Sequence, residues 1–288
     1  MQGAIRGMTE RDGYRAQHGS GPEVQGGAQS AAVERTRSRA DRLRAILEVI
    51  DAEISVGVDR LAAPLAVSAA TIRRDLAHLA SQGLVTRSHG GAVRVNSATE
   101  VPVYYRGGTF AAEKRRIGAM AASMDGHPMV VGITGGTTTM EIARALALRE
   151  GLTVVTNALD IGYELARRPN IRLVLTGGVC RPSSFELSGP IAERTLEGYH
   201  LDIAFVGVDG IDAVAGCTTH DDVEANANKA LVSRAQRVVV VADHSKIGRI
   251  AFASICSLAA VDVLVTDDGA DPHAIEQLEA EGLHVVLA

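Results

Sequence analysis

The chain has no tryptophan, and only five tyrosines and four phenylalanines in 288 residues. Few aromatic side chains are therefore available to a core. The apolar share of 46% rests instead on Val, Ala, Leu and Ile, which suits buried parallel strands covered by helices. Cysteine is scarce too. Cys180, Cys217 and Cys256 are odd in number and far apart, which argues against a disulfide framework and gives no zinc-ligand spacing. Reduced thiols in a cytoplasmic setting are the expectation. No apolar run approaches the ~20 residues of a membrane-spanning helix. A net charge of −5 rules out a uniformly basic chain.

What is present is unevenly spread. The length suffices for two domains. Residues 1–36 are rich in Gly, Gln, Ser, Arg and Glu and lack the apolar stretch of a secretory signal; they read as a disordered tail. Residues 37–95 carry nine Arg against six acidic residues, whereas 96–288 carry 16 Lys+Arg against 24 acidic residues. A small basic unit joined to a larger acidic one fits nucleic-acid contact through the first alone.

The most informative stretch of the first unit is Leu65 to Leu76. Ser68 stands at a helix N-cap position, with Thr71 three residues on as a weak capping-box partner. Ile72, Leu76 and Leu79 then recur at i, i+4 and i+7, giving one core-facing stripe. Thr71, Arg74 and His78 share another face, flanked by Ala70 and Arg73. Short residues and guanidinium groups near a helix N-terminus suit entry into a major groove. A solvated surface helix accounts for the same residues. Two further helices precede it. Leu43, Ile46, Leu47 and Ile50 mark one, and Val58 to Leu65 the other; Pro64 is expected to shorten the second. After Gly83, the runs Leu84–Arg87 and Ala92–Val95 flank Ser88-His89-Gly90-Gly91 as a hairpin. Arg87, His89 and Arg94 on that hairpin could reach phosphate or a minor groove.

Residues 96–108 read as a linker, and Phe110 to Met124 as a helix carrying Lys114, Arg115 and Arg116. From Met129 onward strands and helices alternate. The strands are Met129–Ile133, Leu152–Thr156, Arg172–Thr176, Ile203–Val208, Arg237–Ala242, Val261–Thr266 and His284–Leu287. The fold class is therefore α/β, with a mostly parallel sheet. Ligands of such sheets bind at the carboxyl ends of the strands. Five polar loops follow strands there: Thr134 to Thr139, Thr156-Asn157, Thr176-Gly177-Gly178, Val208-Asp209-Gly210, and Asp243-His244-Ser245-Lys246. The first has glycines and hydroxyls opening a helix, a setting that favours an anion. It is neither a Walker loop nor a Gly-x-Gly-x-x-Gly dinucleotide loop. His220-Asp221-Asp222-x-Glu224 lacks a second His at helical spacing, so acids serving a helix start are a better reading than a metal site. His244 beside Asp243 reads as a loop residue rather than an acid/base pair.

Ser68 through Leu76, Gly83, Arg87 and His89-Gly90-Gly91-Ala92 resemble the winged helix-turn-helix of the DeoR family of bacterial sugar-operon repressors. The resemblance extends through Gly136-Thr137-Thr138, Val155-Thr156-Asn157, Leu175-Thr176-Gly177-Gly178, Ser188-Gly189-Pro190, Ala204-Phe205-Val206-Gly207, Ala242-Asp243-x-Ser245-Lys246 and Val265-Thr266-Asp267. It departs at Thr134-Gly135, where many members carry Asp and a small residue.

The resemblance implies a DNA-binding domain at 37–95 and a sugar-phosphate sensor at 109–288 that resembles ribose-5-phosphate isomerase in fold. DNA contacts are expected from Ser68, Ala70, Thr71, Arg73, Arg74, His78, Arg87, His89 and Arg94. By the resemblance, Gly136, Thr137, Thr138, Thr139 and Lys246 hold a phosphate, with Gly135 beside them. Asn157, Asp209 and Glu224 face sugar hydroxyls, and Thr156, Thr176, Gly177 and Gly178 complete the strand-end set; for Glu224 an exposed helix face is an equal reading. The expectation is a cytoplasmic, homo-oligomeric repressor, a dimer or tetramer, that binds double-stranded operator DNA and is released by a phosphorylated sugar. No cofactor, metal or membrane is expected. Two alternatives stand: a sugar-phosphate isomerase-like enzyme using Asp209, Glu224 and Lys246, and a nucleic-acid module whose second domain serves oligomerisation only.

Overall fold

The computed structural model describes residues 38–53, 55–88, 90–94, 100–124 and 130–288, with the backbone alone at 51, 52 and 94. The tail assigned to residues 1–36, His89 and part of the linker lie outside the described residues. No helix among the described residues is long and apolar enough to cross a membrane.

The first part runs α1 (Arg39–Glu53), β1 (Ser55–Gly57), α2 (Val58–Leu65), α3 (Ala69–Ser81), β2 (Val85–Ser88) and β3 (Gly91–Arg94). Leu43, Ile46, Leu47 and Ile50 of α1 meet Leu61 of α2 and Ile72, Leu76 and Leu79 of α3 in one buried cluster. The periodicity of these apolar residues is what fixes the three helices against each other. Ser68 caps α3: the Thr71 N–H donates to its Oγ at 3.2 Å, and the two hydroxyls are 3.0 Å apart.

The structure corrects three sequence expectations here. Pro64 does not shorten α2, which continues to Leu65 and ends at Ala66 in the left-handed region (φ 52). Pro64 lies in the final turn with its ring exposed, so it removes one helix bond and clashes with nothing buried. The wing is tighter than expected, because the strands extend to Ser88 and Gly91, which pair directly. It also has a third strand, β1, paired antiparallel to β3. Gly91 permits that pairing, since a Cβ there would lie 2.1 Å from the Val56 carbonyl oxygen.

Within the region read as a linker, Val103–Arg106 forms a short helix, α4. Then comes α5 (Ala111–Ser123). The chain next builds β4 (Val130–Ile133), α6 (Thr137–Leu146), β5 (Leu152–Thr156), α7 (Leu159–Leu165) and β6 (Ile171–Leu175). A hairpin of β7 (Val179–Cys180) and β8 (Leu187–Ser188) and helix α8 (Pro190–Glu197) lead on to β9 (Leu201–Gly207). The remainder is β10 (Gly210–Asp212), β11 (Gly216–Thr219), α9 (Asp222–Ser233), β12 (Ala235–Val241), β13 (Ala253–Cys256), β14 (Val263–Thr266), α10 (Pro272–Ala280) and β15 (His284–Leu287).

Seven strands form one parallel sheet in the order β15-β14-β12-β9-β4-β5-β6. Alternate residues of each strand serve opposite faces. Val131, Ile133, Phe205, Val239 and Val241 enter the cluster that holds Ile117 of α5, Ile142 of α6 and Ile161 of α7. Ala204, Val206, Val238 and Val240 enter the cluster that holds Leu196 of α8 and Leu231 of α9. The chain winds outward from β4 to β6 and then returns to β9 on the other side of β4. The crevice at the carboxyl ends of β4 and β9 is thus the switch point where open α/β sheets bind ligands.

Candidate functional site

Two surfaces carry the chemistry. The first is the outer side of α3. Ala70, Arg73 and Arg74 are exposed, Thr71 and His78 half-buried, and Ser68 caps the helix beside them. Neither Arg73 nor Arg74 has a carboxylate partner among the described residues. The acid next in the chain, Asp75, faces inward instead and is held by Arg42 of α1, Nε to Oδ2 at 2.6 Å. Pairing Asp75 inward leaves a cationic outer helix face. Arg87 is exposed on β2. The backbone of Arg94 ends β3, and His89 lies outside the described residues.

The second surface is a cavity of about 500 Å³ at the switch point, a size typical of small-molecule sites. Gly135, Gly136, Thr137 and Thr138 line it from the end of β4, Gly207 to Asp209 from the end of β9, and Asp243, Ser245 and Lys246 from the end of β12. Gly136 is the N-cap of α6 at φ 128, a conformation open to glycine alone at no strain, and with Thr137 and Thr138 it puts the start of α6 on the cavity wall. Thr134 is fully buried, and its Oγ1 accepts the Gly207 N–H at 2.9 Å, tying the two central strand ends together.

Of the thirteen sequence-predicted pocket residues, Gly135, Gly136, Thr137, Thr138, Asp209, Glu224 and Lys246 line the cavity. Thr139, Thr156, Asn157, Thr176, Gly177 and Gly178 do not. The Thr139 hydroxyl donates to the Gly136 carbonyl, and that of Thr156 to the Ile133 carbonyl. Asn157 lies behind the wall, donating to Glu186 Oε2 at 3.0 Å and Asn228 Oδ1 at 3.1 Å. The reason is the β7–β8 hairpin, whose Phe185–Leu187 segment pairs with the backbone of Asn157 and Leu159 and covers the end of β5. Glu224, read equally as an exposed helix residue, is buried.

Residues missed by the sequence reading complete the wall. Arg106 of α4 enters the cavity, with Nη1 2.7 Å from Asp209 Oδ1; Lys246 Nζ stands 3.5 Å from the same oxygen. Burial would raise the Asp209 carboxyl, but Arg106, then Lys246 and His220, outweigh it and hold the group well below the usual carboxylate range. Lys114 of α5 donates to the Arg106 and Thr109 carbonyls and lies 3.6 Å from Asp243 Oδ2. Its ammonium is depressed by burial, an effect that Asp243 partly offsets. Glu186 is 3% exposed and has no cation partner among the described residues. Burial, reinforced by the Glu224 charge, pushes its carboxyl well up. Gly135 makes room for it, since a Cβ there would lie 2.5 Å from Glu186 Oε1.

Of the acids after β11, Asp221 serves local structure, while Glu224 also lines the cavity. Asp221 caps α9 by accepting the Val223 and Glu224 N–H groups, and Arg181 binds Asp221, Glu224 and Glu100. His244 partners Asp267, Nδ1 to Oδ2 at 2.7 Å, rather than its neighbour Asp243. Its ring also meets Phe110 edge-on.

A helix-turn-helix with a three-stranded wing, joined to a doubly wound sheet with a polar switch-point cavity, defines a nucleic-acid-binding regulator with a small-molecule sensor. The family model of the DeoR-like helix-turn-helix domain matches residues 42–98, and that of the DeoR C terminal sensor domain matches residues 109–268. The chain belongs to the DeoR family of transcriptional regulators; it is not an enzyme. It is 38% identical over 248 residues to the HTH-type transcriptional regulator GlpR of Haloferax volcanii, covering 86% of this chain and 97% of that one. With the glycerol-3-phosphate regulon repressor of Escherichia coli K12 it shares 34% over 229 residues, 78% of this chain and 90% of that one. A ribose 5-phosphate isomerase A from Methanocaldococcus jannaschii aligns over 48% of this chain and 55% of that one, at 21% identity and a TM-score of 0.34.

Proposed function

We propose that the chain represses an operon of sugar or sugar-phosphate metabolism and is released from its operator by a phosphorylated sugar. Residues 37–95 form the DNA-binding domain, 96–108 the linker and 109–288 the sensor. The cavity carries this reading. Its Gly136–Thr138 helix start and Lys246 offer N–H, hydroxyl and ammonium donors to a phosphate. Asp209 and Glu224 offer acceptors to sugar hydroxyls. Arg73 and Arg74 of α3, with Arg87 on the wing, address base edges and phosphates of the operator. The protein acts as a homo-oligomer on a two-part operator, and its place of action is the cytoplasm.

Thermal unfolding against a panel of phosphorylated sugars, with the unphosphorylated sugars as controls, tests the sensor. A ligand at ~100 times its Kd adds roughly 2.7 kcal/mol of stability. A rise in Tm that requires the phosphate is expected. A folded protein that responds to no phosphosugar would contradict the reading.

A further inference from the structure

The cavity wall is not made by the sensor alone. Leu47 and Glu48, both on α1 of the DNA-binding domain, line it. Leu47 is at the same time a member of the hydrophobic core beneath the recognition helix. Glu48 Oε1 is buried without a hydrogen-bond partner among the described residues, as is Arg44 Nε one turn earlier. A buried carboxylate oxygen with no donor is costly unless something else supplies one. Gly108 at the end of the linker lets α1 come this close, since a Cβ would lie 2.5 Å from Glu48 Oε1 and from Arg44 Cδ. Further along α1, Arg42 holds the buried Asp75 of α3 through Nε at 2.6 Å and Nη2 at 3.3 Å. Asp75 follows Arg74 directly. One helix thus carries a cavity-lining carboxylate, one oxygen of which is turned away against Gly108 with no donor among the described residues, and a clamp on the helix proposed to read DNA.

We propose that the DNA-binding domain is itself part of the effector site: Glu48 accepts a hydrogen bond from a hydroxyl or amine of the bound molecule, and α1 conveys occupancy to α3. This rests on the cavity being the effector pocket. A donor held by Glu48 changes where α1 sits. Because Leu47 is shared between cavity and core, α1 cannot move without shifting the packing around Ile46 and Ile50 and the Arg42–Asp75 pair. Packed cores of this kind change between discrete arrangements rather than deform continuously. The effector then shifts the balance between arrangements by its differential contact with α1.

Hydrogen–deuterium exchange on the full chain tests this, with glycerol 3-phosphate and inorganic phosphate as probes. Glycerol 3-phosphate, which has hydroxyls, is expected to slow exchange at 134–139 and to alter exchange in α1 and α3. Inorganic phosphate, which has no such hydroxyl arm, is expected to protect 134–139 only. In Glu48→Met, which removes both acceptor oxygens at similar length, the loop stays protected, glycerol 3-phosphate binds roughly 2- to 10-fold more weakly, the worth of one hydrogen bond, and the response of α1 and α3 collapses. Gly108→Ala, which displaces Glu48 while keeping its charge, should have the same effect. Loop protection by glycerol 3-phosphate with no change in α1 and α3, or a response equal in wild type and both variants, overturns the inference and leaves the phosphate reading standing. Protection of the loop by neither probe, nor by any phosphorylated sugar of the thermal panel, overturns both.

Discussion

Arg74 and Lys246 stand at the two ends of the proposed function, and their substitutions should separate it. Arg74→Ala removes a cation from the exposed face of α3 and should weaken operator binding by about 1–3 kcal/mol, the worth of one bidentate base contact, while leaving phosphosugar binding intact. Lys246→Ala should do the reverse, weakening the ligand by about 1.5–3 kcal/mol for a lost charge-assisted hydrogen bond. Electrophoretic mobility shift and calorimetry read the two effects. Normal operator binding by Arg74→Ala would remove α3 from the interface. Glu186 offers a different handle. Folding raises its carboxyl well above the ordinary glutamate value of 4.5. Between that value and the raised one, the folded chain binds a proton that the unfolded chain has released, so stability falls as pH rises across the window. Glu186→Gln should flatten that slope in urea melts taken across pH. An unchanged slope would locate the proton elsewhere.

At the level of elements, local signals explain most of what could be read from sequence. Ser68 announced the start of α3 because a capping hydroxyl followed by the Ile72, Leu76 and Leu79 stripe has few other uses. Ser68→Ala removes the acceptor for the Thr71 N–H and should destabilise the protein by about 1 kcal/mol, measured as a lower urea midpoint; a change below ~0.3 kcal/mol would mean that water caps the helix equally well. The sheet strands were legible as short apolar runs between turns, buried at the centre of the sheet and only part-buried at its edges, β6 and β15. The strands β1, β7, β8, β10, β11 and β13 were not, because none carries an uninterrupted apolar run: β1 is Ser-Val-Gly, β10 Gly-Ile-Asp, β11 Gly-Cys-Thr-Thr and β13 Ala-Ser-Ile-Cys, and β7 and β8 are two residues each. That gap had consequences for the site. Without the β7–β8 hairpin, the end of β5 looks open, and Thr156 and Asn157 look like pocket residues. The same hairpin delivers Glu186, whose only trace in the sequence is a single acid between Phe185 and Leu187.

For the molecule as a whole, the sequence separated a basic front from an acidic remainder. It could not show that the two share a wall. Glu48 reaches the cavity from α1, and Arg106 and Lys114 from the consecutive helices α4 and α5, and no motif spacing links the three to the strand-end loops. If effector and operator act through one set of arrangements, their coupling is reciprocal. The factor by which a phosphosugar weakens operator binding should equal the factor by which operator DNA weakens phosphosugar binding; unequal factors at equilibrium would require a third bound species.

The linker has a stricter geometry than its irregular sequence suggests. Tyr105 is buried in the core of the DNA-binding domain, and its hydroxyl donates to Gln82 at 3.2 Å, at the end of α3. Arg106, the next residue, turns into the cavity toward Asp209. On a helix, neighbouring side chains diverge by about 100°, so α4 addresses both domains within a single step of the chain. Adding or deleting one residue between Pro102 and Gly108 would rotate one of these two anchors away from its partner. Relatives that keep this arrangement should tolerate many side-chain changes along the linker, but not a change in its length at this point.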